Sequence, residues 1–291
     1  MPDLWTKEKE IEFFQNCAKF ATPEQLFYLG DDSRYYAYWP KTYKGKKTTL
    51  QSRNALIGNF TEKYSVDLLQ GFASSKGLYA VQGAICNEIS LTPQSPADVV
   101  LCKNKGREQA AKDIAAIFEV KMSIVWNWVL KNNQLICLGD FKTHKGNPGL
   151  LRSDSMLKAI LAKALAFVFP PYSASQIPII ILGNTPITES YIQKVDHLLC
   201  AGIIQGFWSV NPNPLDDDGN NLKRTSGNGF IRMDSYSELK QNLDNLLSEK
   251  REFFSSMNSR KELGKIIEIA NQEAHFEAKA EKFLMLTREG V

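Results

Sequence analysis

Three side chains that could hydrolyse a phosphodiester stand in two short segments of the sequence. Pro96-Ala97-Asp98 precedes one apolar run, and Glu119-Val120-Lys121 closes another. Along a strand, side chains alternate between the two faces, so Glu119 and Lys121 are expected on the same face. If the two strands pair as a hairpin, Asp98 can converge with them on one edge. Two carboxylates beside an ammonium group make a hard-oxygen metal site next to a cation, which suits phosphodiester hydrolysis.

This arrangement resembles the Asp…Glu-X-Lys signature of the PD-(D/E)XK nuclease superfamily. The resemblance implies that Asp98, Glu119 and the Val120 carbonyl bind Mg²⁺, and that Lys121 stabilises developing charge and orients the attacking water. It also implies cleavage that leaves 5′-phosphate and 3′-hydroxyl ends. The bare pattern also occurs in strands that do no chemistry. The proline before Asp98, the apolar flanks and the order of the surrounding elements favour the nuclease.

The hydrophobic pattern predicts an α/β protein with a mixed sheet. Because such a sheet combines parallel and antiparallel strands, the fold can also be described as α+β. Strands are expected at about Leu78–Ile85, Asp98–Cys102, Ala115–Met122, Ile177–Leu182 and Ile203–Val210, with a further one at Ile124–Val129 or Leu135–Leu138. Helices are expected at about Glu8–Phe20, Asn54–Ser74 and Thr188–Ala201, with another from Ser153 or Ser155 to Val168. From residue 54 the order is helix, three strands, helix, strand, helix, strand. That order matches the αβββαβ core implied by the resemblance.

Glu62 interrupts the apolar face of the helix that precedes the three strands. At 100° per residue it shares a face with Gly58, Val66 and Leu69. The resemblance implies that a glutamate from this helix helps to bind metal or to position water, which adds Glu62 to the candidate catalytic residues. A partly exposed helical glutamate with no chemical role is the alternative.

Three regions are expected along the chain, together forming one compact domain. Residues 1–54 form a helical and basic N-terminal elaboration, and residues 55–210 form the nuclease core. Residues 211–291 form a loop and helices that could dock on the core, clamp DNA or pair with another subunit.

A basic, aromatic-rich stretch lies ahead of the core. No acidic residue occurs between Asp32 and Glu62, and five aromatic residues interleave with the cations there. Such a stretch can neutralise phosphates and stack on bases, although a solvated loop over an aromatic cluster would have the same composition. The candidate DNA-binding residues are Arg34, Lys41, Lys44, Lys46, Lys47, Arg53, Lys142, Lys145, Arg152, Lys223 and Arg224. At the start of a helix, capping also accounts for the residues next to Arg152.

Composition excludes several other classes of protein. The chain is 43% hydrophobic and 23% charged with a net charge of +3, which is typical of a globular protein. No apolar run reaches the roughly 18 residues that a membrane span needs, and the N-terminus lacks the apolar segment of a signal peptide. Five scattered cysteines without a Cys-X-X-Cys pair indicate a reduced, cytoplasmic protein. The three histidines lack zinc spacing, and no phosphate-binding loop occurs.

The length and the elaborations around one core resemble a stand-alone type II restriction endonuclease. That resemblance implies Mg²⁺-dependent, sequence-specific cleavage of double-stranded DNA by a homodimer without membrane association. It also implies a cognate DNA methyltransferase in the same system, which need not bind this chain. A repair, recombination or phage nuclease of the same fold is one alternative. A catalytically inert DNA-binding module is another.

Overall fold

The structure is a computed structural model that describes residues 2–46, 48–152, 177–217, 220–248, 251–252 and 258–289. The helices are α1 (Lys7–Cys17), α2 (Pro23–Leu26), α3 (Gln51–Ser75), α4 (Ile192–Cys200), α5 (Tyr236–Leu247), α6 (Arg260–Ala270) and α7 (Phe276–Glu289). The strands are β1 (Tyr28–Leu29), β2 (Tyr35–Tyr36), β3 (Tyr79–Ala84), β4 (Ala97–Cys102), β5 (Ile114–Lys121), β6 (Asn127–Lys131), β7 (Gln134–Gly139), β8 (Ile179–Gly183), β9 (Gly206–Ser209), β10 (Phe230–Arg232), β11 (Arg251–Glu252) and β12 (Asn258–Ser259).

A six-stranded mixed sheet runs in the order β10-β9-β8-β5-β4-β3. Strands β3, β4 and β5 form an antiparallel meander, and β5, β8, β9 and β10 run parallel to one another. Along the antiparallel strands, buried and exposed residues alternate less strictly than in a hairpin with one face toward solvent, because both faces of this sheet are covered. Strand β5 therefore lies where the antiparallel and parallel halves of the sheet meet.

Both faces of this sheet are buried against apolar side chains. On β4, Val99 and Leu101 belong to one apolar cluster, whereas Val100 and Cys102 belong to a second. The first cluster includes the buried side of α3, and the second includes Val195 of α4. This division follows the two-residue period of a strand. The face on which a side chain of β4 or β5 lies therefore determines whether it is still covered by a cluster at the end of the sheet.

A smaller antiparallel sheet has the order β1-β2-β6-β7. Strands β6 and β7 form a hairpin after β5, and the two short strands β1 and β2 come from the N-terminal region. A two-residue turn joins the hairpin, where Asn132 and Asn133 have φ of 49° and 60°. Asparagine tolerates this left-handed backbone better than most residues, as a type I′ turn requires.

The N-terminal region belongs to the first apolar cluster. Trp5 and Phe13 are fully buried and join the same cluster as Phe118 of β5. The expected boundary at residue 54 falls inside α3, which begins at Gln51. The first helix ends at Cys17, earlier than its pattern predicted, and Phe20 is 70% exposed.

The protein is thus a mixed α+β structure, in agreement with the predicted class. The three strands after α3 were predicted within two residues of their observed ends, and both alternatives for a further strand exist as β6 and β7. The helix predicted to begin at Ser153 or Ser155 lies outside the described residues. Among the residues that the structure describes, no helix combines the length and apolar character needed to cross a membrane.

Candidate functional site

Asp98, Glu119 and Lys121 converge at one end of the β4–β5 pair. The register that pairs Val99 with Phe118 brings the start of β4 next to the end of β5. Lys121 Nζ lies 2.7 Å from Glu119 Oε1 and 3.8 Å from Asp98 Oδ2. One ammonium group therefore contacts both carboxylates, as the spacing in the sequence predicted.

The carboxyl group of Asp98 is held by the backbone of β5. The Val120 N–H donates to Asp98 Oδ2 at 2.8 Å, and the side chain is 22% exposed. Burial and then the negative charge of Glu119 raise the pKa of Asp98 to about 6, against the opposing effects of Lys121 and the Val120 N–H. A bound cation would lower this raised pKa, because a positive charge beside the carboxyl group stabilises its ionised form.

Lys121 is a partly buried cation whose charge is maintained by its neighbours. Burial by itself lowers the pKa of an ammonium group, but Glu119, Asp98 and Glu62 together outweigh it and leave the pKa of Lys121 raised. Lys121 Nζ also lies 3.4 Å from the Val120 carbonyl oxygen. Lys121 is therefore charged at neutral pH, surrounded by three oxygens of β4 and β5.

Glu62 reaches the same cluster from α3. Its Oε2 accepts a hydrogen bond of 3.0 Å from Gln82 Nε2 on β3, and Gln82 also donates to Asn59 at 3.3 Å. Its negative charge contributes to the raised pKa of both Asp98 and Lys121. Thr61 and Ser65 of the same helix are buried, and their hydroxyl groups donate to the carbonyls of Ile57 and Thr61 at 2.9 and 2.7 Å.

The donor set at this site fits a hard divalent cation. Asp98, Glu119 and the Val120 carbonyl supply oxygen ligands, which Mg²⁺ prefers in proteins. Within the described part of the chain, no three His, Cys, Asp or Glu side chains form a group able to hold a metal ion. The protein would accordingly supply two carboxylates and a carbonyl, a small set of the kind that Mg²⁺ completes with water and phosphate oxygens.

Two side-chain interactions that the sequence did not indicate fix the chain next to β5. The Ser123 N–H donates to Asn184 Oδ1 at 3.1 Å, and Asn184 Nδ2 donates to the Ser123 carbonyl at 2.7 Å. Asn184 is fully buried directly after β8. A polar residue at the carboxyl end of a buried strand, beside a parallel neighbour, was the available signal for this role.

Glu10 is the second group that sequence reasoning missed. It is fully buried and accepts hydrogen bonds from the indoles of Trp5 and Trp128 and from the backbone N–H groups of Val125 and Trp126. Burial raises the pKa of Glu10 to about 8, and these four donors act in the opposite direction. The carboxyl group ties α1 to the segment between β5 and β6.

Two of the basic segments predicted to contact DNA lie side by side. Pro40 forms an isolated β-bridge with His144, and the Lys145 N–H donates to the Trp39 carbonyl at 2.8 Å. Lys145 Nζ in turn donates to the Tyr43 carbonyl at 2.6 Å. The exposed cations that this pairing brings to one region are Lys41, Lys44, Lys46 and Lys142.

The remaining basic candidates have different surroundings. Arg224 and Arg152 are exposed, and Arg34 is exposed beside Asp32 at 3.6 Å. Lys223 forms ion pairs with Asp234 and Glu238 at 2.7 and 2.6 Å. Lys47 lies outside the described residues.

Arg53 is a correction to the predicted DNA contacts. It is 2% exposed, and its Nη1 donates to the carbonyls of Leu26 and Ala37. The guanidinium also lies over the rings of Tyr28 and Tyr38. A side chain enclosed in this way cannot reach a phosphate, so Arg53 stabilises the N-terminal region instead.

Comparison with protein-family models, with curated proteins and with solved structures finds no match for this chain. The geometry of the site is therefore the basis for assigning a function.

Proposed function

We propose that the protein is a Mg²⁺-dependent type II restriction endonuclease with a PD-(D/E)XK core. The observation that carries the proposal is the convergence of Asp98, Glu119 and Lys121 from two paired strands, with both carboxylates within 4 Å of one ammonium nitrogen. The topology adds support, because α3, the β3–β4–β5 meander and the parallel strand β8 occur in the order that such a core requires.

Asp98, Glu119 and the Val120 carbonyl would hold the metal. Bound there, Mg²⁺ would polarise the scissile phosphate and lower the pKa of a bound water. Lys121 keeps its proton because of the surrounding carboxylates, so its positive charge is available to stabilise the negative charge that develops on the phosphate. Glu62, held by Gln82, can orient water on the α3 side of the site.

Double-stranded DNA is the substrate that the surface favours. The pairing of Pro40 with His144 gathers exposed lysines from two segments, and clustered lysines neutralise phosphates by releasing counterions. Sequence-specific cutting with 5′-phosphate products belongs to the proposal through the resemblance to type II enzymes.

Plasmid cleavage tests the proposal directly. Purified wild-type protein should cut supercoiled DNA with Mg²⁺ and not with EDTA, at defined positions that sequencing of the ends reveals. Asp98→Ala and Glu119→Ala should abolish cleavage but still bind duplex DNA in the presence of Ca²⁺, since removing a carboxylate weakens metal binding and reduces repulsion toward phosphate. Asp67→Ala, an exposed carboxylate on α3, is the matched control and should cut normally.

The pattern of cutting separates this proposal from its alternatives. Cuts in both strands at one short sequence support a restriction endonuclease. Cutting directed by DNA ends or by branched structures would indicate a repair or recombination nuclease of the same fold. Binding without any cleavage by the wild-type protein would leave an inert DNA-binding module.

A further inference from the structure

A pocket of about 190 Å³ adjoins Lys121 on the side of α3. Its lining includes Asn54, Gly58, Lys121, Ser123 and Arg152. Among the described residues that line it, two are cations and none is acidic. A small, open pocket of this composition suits an anionic group with hydrogen-bond acceptors, such as a phosphate.

Gly58 occupies an unusual position for a glycine. It lies in the interior of α3, one turn before Glu62, where glycine is less favourable than alanine for helix formation. Since residues four apart on a helix share a face, Asn54, Gly58 and Glu62 form a row along α3 toward the site.

The described residues give no packing reason for a glycine at residue 58. A Cβ atom built there meets no atom of the described residues within 4 Å. Gly149, across the same pocket, is different: its φ is +52°, and a Cβ would lie 2.9 Å from Thr185 Oγ1 and 3.0 Å from the Lys121 carbonyl oxygen. Gly149 is thus required by the fold, whereas the space beside Gly58 is open among the described residues.

We propose that this pocket binds the phosphate next to the scissile one, and that Gly58 lets the sugar–phosphate backbone of DNA lie directly against α3. Lys121 and Arg152 supply positive charge at the pocket, while Asn54 and Ser123 supply polar groups. A side chain at residue 58 projects into the path of the DNA strand and displaces the scissile phosphate from Asp98, Glu119 and Lys121. The inference rests on the proposed nuclease function and names how its substrate is seated.

The test compares Gly58→Ala with Gly71→Ala in the full-length protein. Gly71 is also an interior glycine of α3, further along the same helix, and a Cβ there would lie 3.4 Å from the Tyr236 hydroxyl oxygen, an ordinary contact distance. Both substitutions should leave the melting temperature unchanged or raise it, because alanine favours a helix. Only Gly58→Ala should reduce kcat/KM for plasmid cleavage, by about tenfold to a hundredfold, as expected for a substrate misplaced by an ångström.

Affinity for a duplex oligonucleotide, measured by fluorescence anisotropy with Ca²⁺ replacing Mg²⁺, gives an independent readout. Gly58→Ala should bind more weakly than the wild type, and Gly58→Leu more weakly still. Wild-type cleavage and affinity in Gly58→Ala would overturn the subsite and leave the nuclease proposal standing. A wild-type protein that neither binds nor cleaves DNA would overturn both.

Discussion

At the scale of single residues, the fold disfavours the ionised form of the Asp98 carboxyl group. Its pKa is raised to about 6, above the roughly 3.9 of an unperturbed aspartate. Ionising it therefore costs more free energy in the folded state than in the unfolded state. The stability linked to its protonated form is complete below about pH 4 and is lost as the pH rises through 6. As a ligand of the proposed metal site, this carboxylate would trade stability for function.

Asp98→Asn should consequently stabilise the protein in EDTA at pH 8. The gain is at most about 3 kcal/mol, the equivalent of two pKa units, and it should disappear near pH 4. Thermal unfolding of both proteins at the two pH values measures it. Equal destabilisation of the variant at pH 4 and pH 8 would show that the carboxylate is not strained in the native state.

Glu62 should affect cleavage, while its neighbour Lys63 should not. Glu62 contacts Gln82 and acts electrostatically on Asp98 and Lys121, whereas Lys63 is exposed. Glu62→Gln keeps the size of the side chain and removes its charge, so the cleavage rate should fall by about tenfold or more. Lys63→Gln removes a charge one residue away and should cut at the wild-type rate. Indistinguishable rates for the two variants would make Glu62 a structural residue.

At the scale of elements, Glu10 determines how α1 is attached to the rest of the molecule. Glu10→Ala leaves four buried N–H donors without their acceptor, so the free energy of unfolding should fall by about 3 kcal/mol or more. Glu12→Ala, on the exposed side of the same helix, removes only an ion pair with Lys9 and should change it by less than about 1 kcal/mol. Urea denaturation compares the two. Similar effects for both would mean that the buried contacts of Glu10 contribute little.

Local patterns predicted the elements that carry the site, because their information is local. Alternation along β4 and β5 predicted that Glu119 and Lys121 share a face, and the register of the hairpin then brought Asp98 to them. Only one further strand, at the position of β6 or of β7, was predicted, although the Asn132-Asn133 pair between them favours the type I′ turn of a hairpin.

The contacts of Glu10 and Arg53 could not be predicted in the same way. Glu10 resembles a solvated residue of an amphipathic helix, but three of its four donors come from residues more than 110 positions later. Arg53 belongs to a basic stretch in sequence, yet carbonyls and rings from other segments enclose it. A charged residue is therefore expected to be exposed only if no distant segment of the chain supplies partners that bury it.

At the scale of the whole molecule, the protein should act as a homodimer on a short palindromic duplex. One active site cuts one strand, and two-fold symmetry is the simplest way to place two sites on opposite strands. The segments to examine for the interface and for DNA-binding arms are 34–53, 142–158 and 223–290. The last of these includes exposed apolar side chains on α6 and α7, namely Ile267, Phe276, Leu284 and Met285.

Mass photometry of the Asp98→Ala variant, which is expected to be inactive, measures the stoichiometry with and without the cognate duplex. We expect two chains per duplex, with an affinity that falls steeply as salt rises, because phosphate contacts release counterions. Leu284→Glu should weaken the dimer if α7 contributes to the interface, whereas Leu29→Glu, a similarly exposed change on β1 outside these segments, should not. A strictly monomeric complex that nicks one strand at a time would contradict the dimer and would favour a repair nuclease of the same fold.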